Sequence, residues 1–136
     1  MPQVFTGKVV IPAEQLDAHF QAMAEAAEAR KPFRSQLTGL KSAFEHALAA
    51  KYSRTTARKH AMIVEVFIDF LCDYTDVAAI EDITKGMANS YFRRWYKSKV
   101  WDSTTTDDLR VALKRFFRFL DKEKGIRNQK VLDSFR

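Results

Sequence analysis

Apolar residues recur every three or four positions along most of the chain, a spacing typical of helices that bury one face. The segment from Ala13 to Ala29 is rich in Ala, Glu, Gln and Met, and it predicts an amphipathic helix entered at Pro12. Pro32 is predicted to end this helix, because a proline inside a helix removes a backbone hydrogen bond. A second helix is predicted from about Ser35, with an apolar stripe formed by Leu37, Leu40, Phe44 and Leu48.

The strongest helical pattern begins at Ser53, and Ser53, Thr55 and Thr56 offer hydroxyls for an N-terminal cap. Its buried face is predicted to contain Ile63, Val64, Phe67, Phe70, Leu71 and Tyr74. Another helix is expected after a cap at residues 82 to 84, ending near Ser98, with an inward stripe at Met87, Ala88, Tyr91 and Trp95. The outer face of that helix carries Arg93, Arg94 and Lys97.

Residues 103 to 108 place hydroxyls and carboxylates at the start of a further helix, where free amides and the helix dipole favour them. Its buried face is predicted to contain Leu109, Ala112, Leu113, Phe116, Phe117 and Leu120, and Gly125 is a suitable C-terminal stop. Residues 129 to 135 predict a short last helix. Residues 4 to 11 are β-branched and aromatic, which predicts a short strand or an extended arm.

Composition agrees with a mostly helical protein of one domain, or one domain with an appendage. The 136 residues include 46% apolar residues and 11 Phe, enough for a packed core, but only 4 Gly and 3 Pro. So few turn formers argue against a sandwich or barrel of many short strands. The predicted class is therefore all-α, with long helices joined by short loops.

The basic charge of the chain is concentrated in its second part. Residues 1 to 52 hold 6 basic and 5 acidic side chains, whereas residues 53 to 136 hold 17 and 12, so most of the net +6 lies after residue 52. A basic surface raises the local concentration of polyanions such as nucleic acid. The charge distribution thus favours a polyanionic partner for the second part.

No enzymatic chemistry is indicated by the sequence. His19, His46 and His60 lie far apart without metal-ligand spacing, so neither a metal nor a cofactor is predicted, and no small-molecule ligand is expected. Cys72 lies in an apolar run and is interpreted as a core thiol, while Asp107 and Asp108 are interpreted as partners of a helix dipole. A lone cysteine, with no membrane span or signal peptide, predicts a cytoplasmic protein without a membrane partner.

Cations accompany hydroxyl-rich helix starts at two places, which makes each a candidate phosphate site. The first combines Ser53, Thr55 and Thr56 with Arg54, Arg58 and Lys59. The second combines Ser103, Thr104 and Thr105 with Lys97 and Lys99. The following helix adds a positive stripe, at i, i+4 and i+8, of Arg110, Lys114 and Arg118, with Arg115 and Lys122 beside it.

The order of these pieces resembles the N-terminal, SAM-like core-binding domain of the tyrosine recombinases, or phage integrases. The resemblance covers about residues 50 to 133. It lies in Ser53-x-Thr55-Thr56 and an apolar helix ending Phe67-Ile-Asp-Phe-Leu71, then Ile80-Glu-Asp-Ile83-Thr84 and the aromatic helix through Trp95. Ser103-x-x-Thr106, a helix ending Phe116-Phe-Arg-Phe-Leu120, and Gly125 complete it.

The resemblance implies a SAM-like bundle of four or five helices that binds double-stranded DNA. Self-association of protomers on the DNA is a separate expectation, in which the alanine-rich helices of residues 1–50 would pack on a neighbouring protomer. Residues 51–136 would form this domain, and residues 1–50 an N-terminal extension of an arm and one or two helices. In the family, the starts of the first and third core helices meet phosphates and grooves. This role would fall on Ser53, Arg54, Thr55, Thr56, Arg58, Lys59, Lys99, Ser103, Thr104, Thr105, Arg110 and Lys114.

The family performs DNA integration and recombination with a separate C-terminal catalytic domain, and this chain stops at Arg136 before such a domain. No strand cleavage is therefore predicted for this polypeptide, which is either a fragment of a longer integrase or a standalone binding module. A different hypothesis is a helical protein-interaction domain that does not bind DNA. Its contact surface would be Trp101, Phe135 or the segment of residues 4 to 11.

Overall fold

The computed structural model describes residues 4–5 and 10–135, which form an all-α bundle. Its helices are α1 (Leu16–Ala49), α2 (Arg54–Tyr74), α3 (Phe92–Lys99), α4 (Thr106–Lys124) and α5 (Gln129–Ser134). Short 3₁₀ turns cover Ala13–Gln15 and Ile80–Asp82, and a π-helical turn covers Met87–Tyr91. None of the helices in these ranges is long and apolar enough to cross a lipid bilayer.

Pro32 does not end a helix, so the predicted break is wrong: α1 runs through it without interruption for 34 residues. Contacts with α2 on both sides of the proline explain this. Arg30 donates to the carbonyl oxygen of Leu71 at 3.0 Å, and Arg34 binds the carboxylates of Asp69 and Asp73, both at 2.8 Å. These contacts, together with burial of the next residue, Phe33, offset the loss of about 3 kcal/mol that an internal proline brings.

The core lies between α2, α4 and the second half of α1. The ring of Phe67 on α2 lies 5.0 Å from Phe92 and 6.1 Å from Phe117 on α4, measured between ring centroids. Phe44 of α1 packs edge-on against Phe116 of α4 at 5.2 Å. Side chains on both sides of residue 50 therefore share one core, whereas the first half of α1 is almost entirely exposed.

A π-helical turn changes which face of the third helical segment points inward. Thr84 caps the segment through a 3.1 Å bond from the amide of Met87, as the sequence predicts. Tyr91, however, is 46% exposed, and Phe92 is buried in its place, so the predicted inward position of Tyr91 is wrong. The wider turn at Met87–Tyr91 adds one residue to the helical repeat and shifts the buried stripe to Phe92, Trp95 and Tyr96.

Hydrogen bonds of the Asn128 side chain join α5 to the segment that precedes α3. The buried side-chain amide of Asn128 donates to the carbonyls of Ile80 and Ile83 at 2.9 and 2.8 Å, and its oxygen caps α5 by accepting from Val131 at 3.1 Å. Phe135 then packs near Phe117 and is 1% exposed. Phe135 is therefore a core residue, and the expectation that it forms a contact surface is wrong.

The predicted N-terminal strand is described only in part. Val4 forms an isolated antiparallel bridge with Thr75, and the amide of Phe5 donates to the carbonyl of Tyr74. Residues 6 to 9 lie outside the described part of the chain. The bridge places residues 4 and 5 beside the C-terminal end of α2.

Candidate nucleic-acid interface

The starts of α2 and α4, which the sequence indicates separately, lie next to each other. Nζ of Lys59 is 3.1 Å from Oδ2 of Asp108, and further along the same helices Arg115 lies 3.3 Å from Nδ1 of His60. The two clusters of hydroxyls and cations therefore form one surface at one end of the bundle. We call this surface the α2/α4 face and define it by its exposed members Ser53, Arg54, Thr55, Arg58, Lys59, Ser103 and Thr105.

The start of α2 is capped as the sequence predicts. Ser53 Oγ accepts from the amide of Thr56 at 3.2 Å and donates to the hydroxyl of Thr56 at 3.1 Å. The first amides of a helix have no partner within the helix and carry a partial positive charge, so this end attracts anions. Arg54 and Arg58 are exposed around it, whereas Thr56 is half-buried.

The start of α4 has a complete capping box. Thr105 Oγ1 accepts from the amide of Asp108 at 3.1 Å, and Asp108 Oδ2 accepts from the amide of Thr105 at 2.9 Å. The backbone hydrogen bond from Thr105, and then the bond from Lys59, hold the pKa of Asp108 below its usual value. An ionised carboxylate therefore lies within the face, and the exposed Asp107 lies next to it in the first turn of α4.

The loop between α3 and α4 is held by three hydrogen bonds. The hydroxyl of Tyr96 donates to Asp102 Oδ2 at 2.9 Å, Asp102 Oδ1 accepts from the amide of Thr104 at 3.0 Å, and Lys97 donates to the carbonyl of Thr104 at 2.6 Å. Burial tends to raise the pKa of Asp102, but these bonds from Thr104 and Tyr96 outweigh it and lower that pKa. Of the predicted phosphate ligands here, Thr104 is buried and Ser103 is exposed.

A shallow open groove lies between α3 and the start of α4. It is lined by Arg93, Arg94, Lys97, Ser98 and Thr106. The sequence predicts Arg93 and Arg94 on the outer face of this helix but does not indicate them as site residues. Their proximity to Thr106 depends on how α3 packs against α4, which the spacing of residues along the chain does not show.

The cations of the positive stripe on α4 differ in their exposure and in their contacts. Arg110 is half-buried and donates to the carbonyl of Phe135 at 3.2 Å, and Lys114 is also half-buried. Arg118 is exposed, but it lies three helical turns beyond the start of α4, where it lines a groove with Lys122. Arg115 packs over the ring of Tyr52, with its guanidinium carbon 4.3 Å from the ring centroid.

His60 is buried beneath the α2/α4 face, in contact with Arg115. Burial lowers its pKa, and the nearby positive charges of Arg115 and Lys59 lower it further. Because the Arg115 guanidinium has only donors, Nδ1 of a neutral His60 accepts the 3.3 Å bond. His60 therefore helps to orient Arg115 beneath the α2/α4 face.

Neither the described histidines nor Cys72 forms a reactive or metal-binding group. The thiol of Cys72 is buried, and burial raises its pKa. Within residues 4–5 and 10–135 there is no group of three or more His, Cys, Asp or Glu side chains placed to hold a metal ion. What the surface offers is cations, hydroxyls and helix amides.

Comparison with known protein families finds a match over the core of the bundle. The family model for the phage integrase N-terminal SAM-like domain matches residues 42–124, more than half of the chain and all of α2, α3 and α4. Comparisons with curated proteins and with solved structures gave no significant match. The five-helix fold and this match together show that the chain belongs to the phage integrase family, through its N-terminal SAM-like domain.

Proposed function

We propose that the chain binds double-stranded DNA through the α2/α4 face, as the core-binding module of a site-specific recombinase, without strand cleavage of its own. The observation that carries the proposal is the ion pair of Lys59 and Asp108, which joins the cation-rich start of α2 and the capped start of α4 into one surface. Two such starts side by side can bind successive phosphates of one DNA backbone. Family membership supports the same conclusion.

Binding would be mostly ionic. Arg54, Arg58 and Lys59 would neutralise phosphates near the start of α2, while Lys97 and Lys99 would do so near the loop before α4. Each neutralised phosphate releases counterions, so the logarithm of the affinity falls by about 0.9 per contact for each decade of salt. Of the α4 cations, Arg110 contributes less in this proposal because it is bonded to Phe135, whereas Arg118 lines a groove with Lys51 and Tyr52 beside the start of α2.

The decisive experiment compares two pairs of cations on duplex DNA. The double variant Arg58→Gln/Lys59→Gln is expected to weaken binding to all sequences alike and to reduce the salt slope by roughly 2. The matched control, Lys124→Gln/Lys130→Gln, removes the same charge at the C-terminal end of α4 and on α5, and should change the slope little. Equal effects of the two variants, or no binding of the wild type at low salt, would contradict the proposal.

A protein–protein contact is a second candidate, supported by an exposed apolar stripe on the first half of α1. Leu16, Phe20 and Met23 share one face there and are 39%, 57% and 55% exposed. This face suits contact between protomers assembled on DNA. Sedimentation with and without DNA, on the wild type and on Phe20→Ser/Met23→Ser, tests it: self-association that the substitutions leave unchanged would exclude this face.

The DNA-binding proposal also fits the cytoplasmic location predicted from sequence. Cytoplasmic thiols stay reduced, and a buried, unpaired Cys72 needs no oxidising compartment.

A further inference from the structure

Trp101 is the most exposed aromatic side chain among the described residues. It is 91% exposed, whereas the other tryptophan, Trp95, is 8% exposed and packs against Phe70 and Phe92. An indole has a large apolar surface that folding normally buries. A tryptophan left in solvent on a basic surface is therefore a candidate contact residue.

Hydrogen bonds fix the chain on both sides of Trp101. Tyr96, which is fully buried, donates to Asp102 at 2.9 Å, and Lys97 of α3 donates to the carbonyl of Thr104 at 2.6 Å. These two bonds join the chain before Trp101 to the chain after it. The bond from the amide of Thr104 to Asp102 closes the turn at 3.0 Å. The loop therefore presents the indole from a fixed backbone, which lowers the entropy lost when it binds a partner.

The charges around the loop decide which kind of partner fits. Lys97 and Lys99 precede Trp101 on α3, and Arg93 and Arg94 line the neighbouring groove with Lys97. The exposed carboxylate of Asp102 follows Trp101 directly, but four cations stand against it on α3. An apolar group beside several cations complements a polyanion that has apolar surface between its charges. In duplex DNA, sugars and base edges lie between the two rows of phosphates, which meets this requirement.

We propose that Trp101 is the non-ionic anchor of the DNA complex, packing its indole against sugars or base edges in a groove while the surrounding cations bind phosphates. This inference rests on the proposed function, because it requires the α2/α4 face to meet duplex DNA. It adds a contact that carries no charge, and therefore a part of the affinity that salt does not screen.

The salt dependence separates this contact from the ionic ones. Trp101→Ala is expected to lower the affinity for duplex DNA by roughly tenfold at every salt concentration, with an unchanged salt slope. Trp101→Phe should retain most of the affinity, since an aromatic ring remains. Phe5→Ala is the matched control, because it also removes an exposed aromatic side chain, beside the C-terminal end of α2, and it should leave the affinity unchanged.

Fluorescence gives a second readout on the same proteins. Because Trp95 is buried, acrylamide quenching of the wild type reports mainly Trp101, and Trp101→Phe provides the Trp95 background. Saturating duplex DNA is expected to reduce the quenching constant of the wild type by several fold towards that background. Quenching that stays as in free protein, under conditions where DNA is bound, would overturn the inference.

The outcomes distinguish this inference from the function on which it rests. If Trp101→Ala keeps wild-type affinity while Arg58→Gln/Lys59→Gln loses it, Trp101 is not an anchor and the DNA-binding face stands. If Trp101→Ala abolishes self-association and leaves DNA affinity intact, the tryptophan contacts protein and the inference is wrong. If the wild type does not bind duplex DNA at low salt, both proposals fail.

Discussion

Lys59 on α2 and Asp108 on α4 form an ion pair of 3.1 Å that joins the starts of the two helices proposed to bind DNA. Both side chains are partly exposed, so the pair itself stabilises the fold by no more than about 1 kcal/mol. Its greater effect is electrostatic. The carboxylate offsets part of the positive charge of Lys59 and so weakens its attraction for phosphate at the α2/α4 face.

Replacement of Asp108 by Asn should therefore tighten DNA binding. The amide oxygen can still accept from the backbone of Thr105, while the negative charge is removed from the face. We expect affinity for duplex DNA to rise roughly threefold at low salt, as measured by fluorescence anisotropy. Asp121→Asn is the matched control, because Asp121 is also ion-paired, with Arg127, but lies near the other end of α4. An equal gain in both variants would show that only net charge matters.

Replacement of Thr105 by Ala should destabilise the protein by about 1 kcal/mol, because it removes the side-chain half of the capping box. Urea unfolding measures this change. Thr105→Ser should keep most of the stability, and Thr106→Ala, which removes an exposed hydroxyl outside the capping box, should change it little. Equal losses at positions 105 and 106 would show that the cap does not stabilise α4.

Stability should fall as the pH is lowered through the ordinary pKa of histidine, about 6.5, because of His60. Its pKa is lowered in the folded protein, so the unfolded chain binds the proton first and acidification favours unfolding. The loss is complete below the folded pKa of His60. The carboxyls of Asp102 and Asp108, with lowered pKa values, titrate in a more acidic range.

Urea unfolding at pH values of about 7.5 and 5.5 measures this effect. His60→Gln should flatten the pH dependence even if it lowers stability overall. His46→Gln, at an exposed position of α1, is the control and should retain the wild-type slope. If the slope survives in His60→Gln, a different group causes it.

Replacement of Pro32 by Ala should stabilise the protein by about 1 to 3 kcal/mol. The alanine restores an amide donor within the continuous α1, and because Pro32 is exposed its removal leaves no cavity. Thermal or urea unfolding measures the gain. Ser35→Ala, also exposed on α1, should gain less than about 1 kcal/mol. A loss of stability in Pro32→Ala would mean that α1 is interrupted at this position.

Features that depend on neighbouring residues were predictable from sequence. The caps at Ser53 and Thr105, the left-handed stop at Gly125, and the helices that begin or end there are all confirmed. Each of these features forms within a few residues, so the chain carries the information locally. The apolar spacing of α2 and α4 likewise identified their buried faces, including Phe67 and Phe116.

Features that depend on contacts distant in sequence were not predictable. The hydroxyl and guanidinium groups of the α2/α4 face were predicted residue by residue. The ion pair of Lys59 and Asp108 that joins them was not predicted, and neither was the burial of Thr104. Asn128, which binds two carbonyls more than forty residues away, carries no local pattern that would identify it.

The sequence by itself determined that this is an all-α protein with two cation-rich, capped helix starts, because capping and amphipathic spacing act over one or two turns. Tertiary structure decided that α1 passes through Pro32, since contacts of Arg30 and Arg34 with α2 outweigh the missing hydrogen bond. It also decided that a π-helical turn exposes Tyr91, and that the two helix starts meet. These outcomes depend on the balance of packing energies across the whole bundle, which no single segment contains.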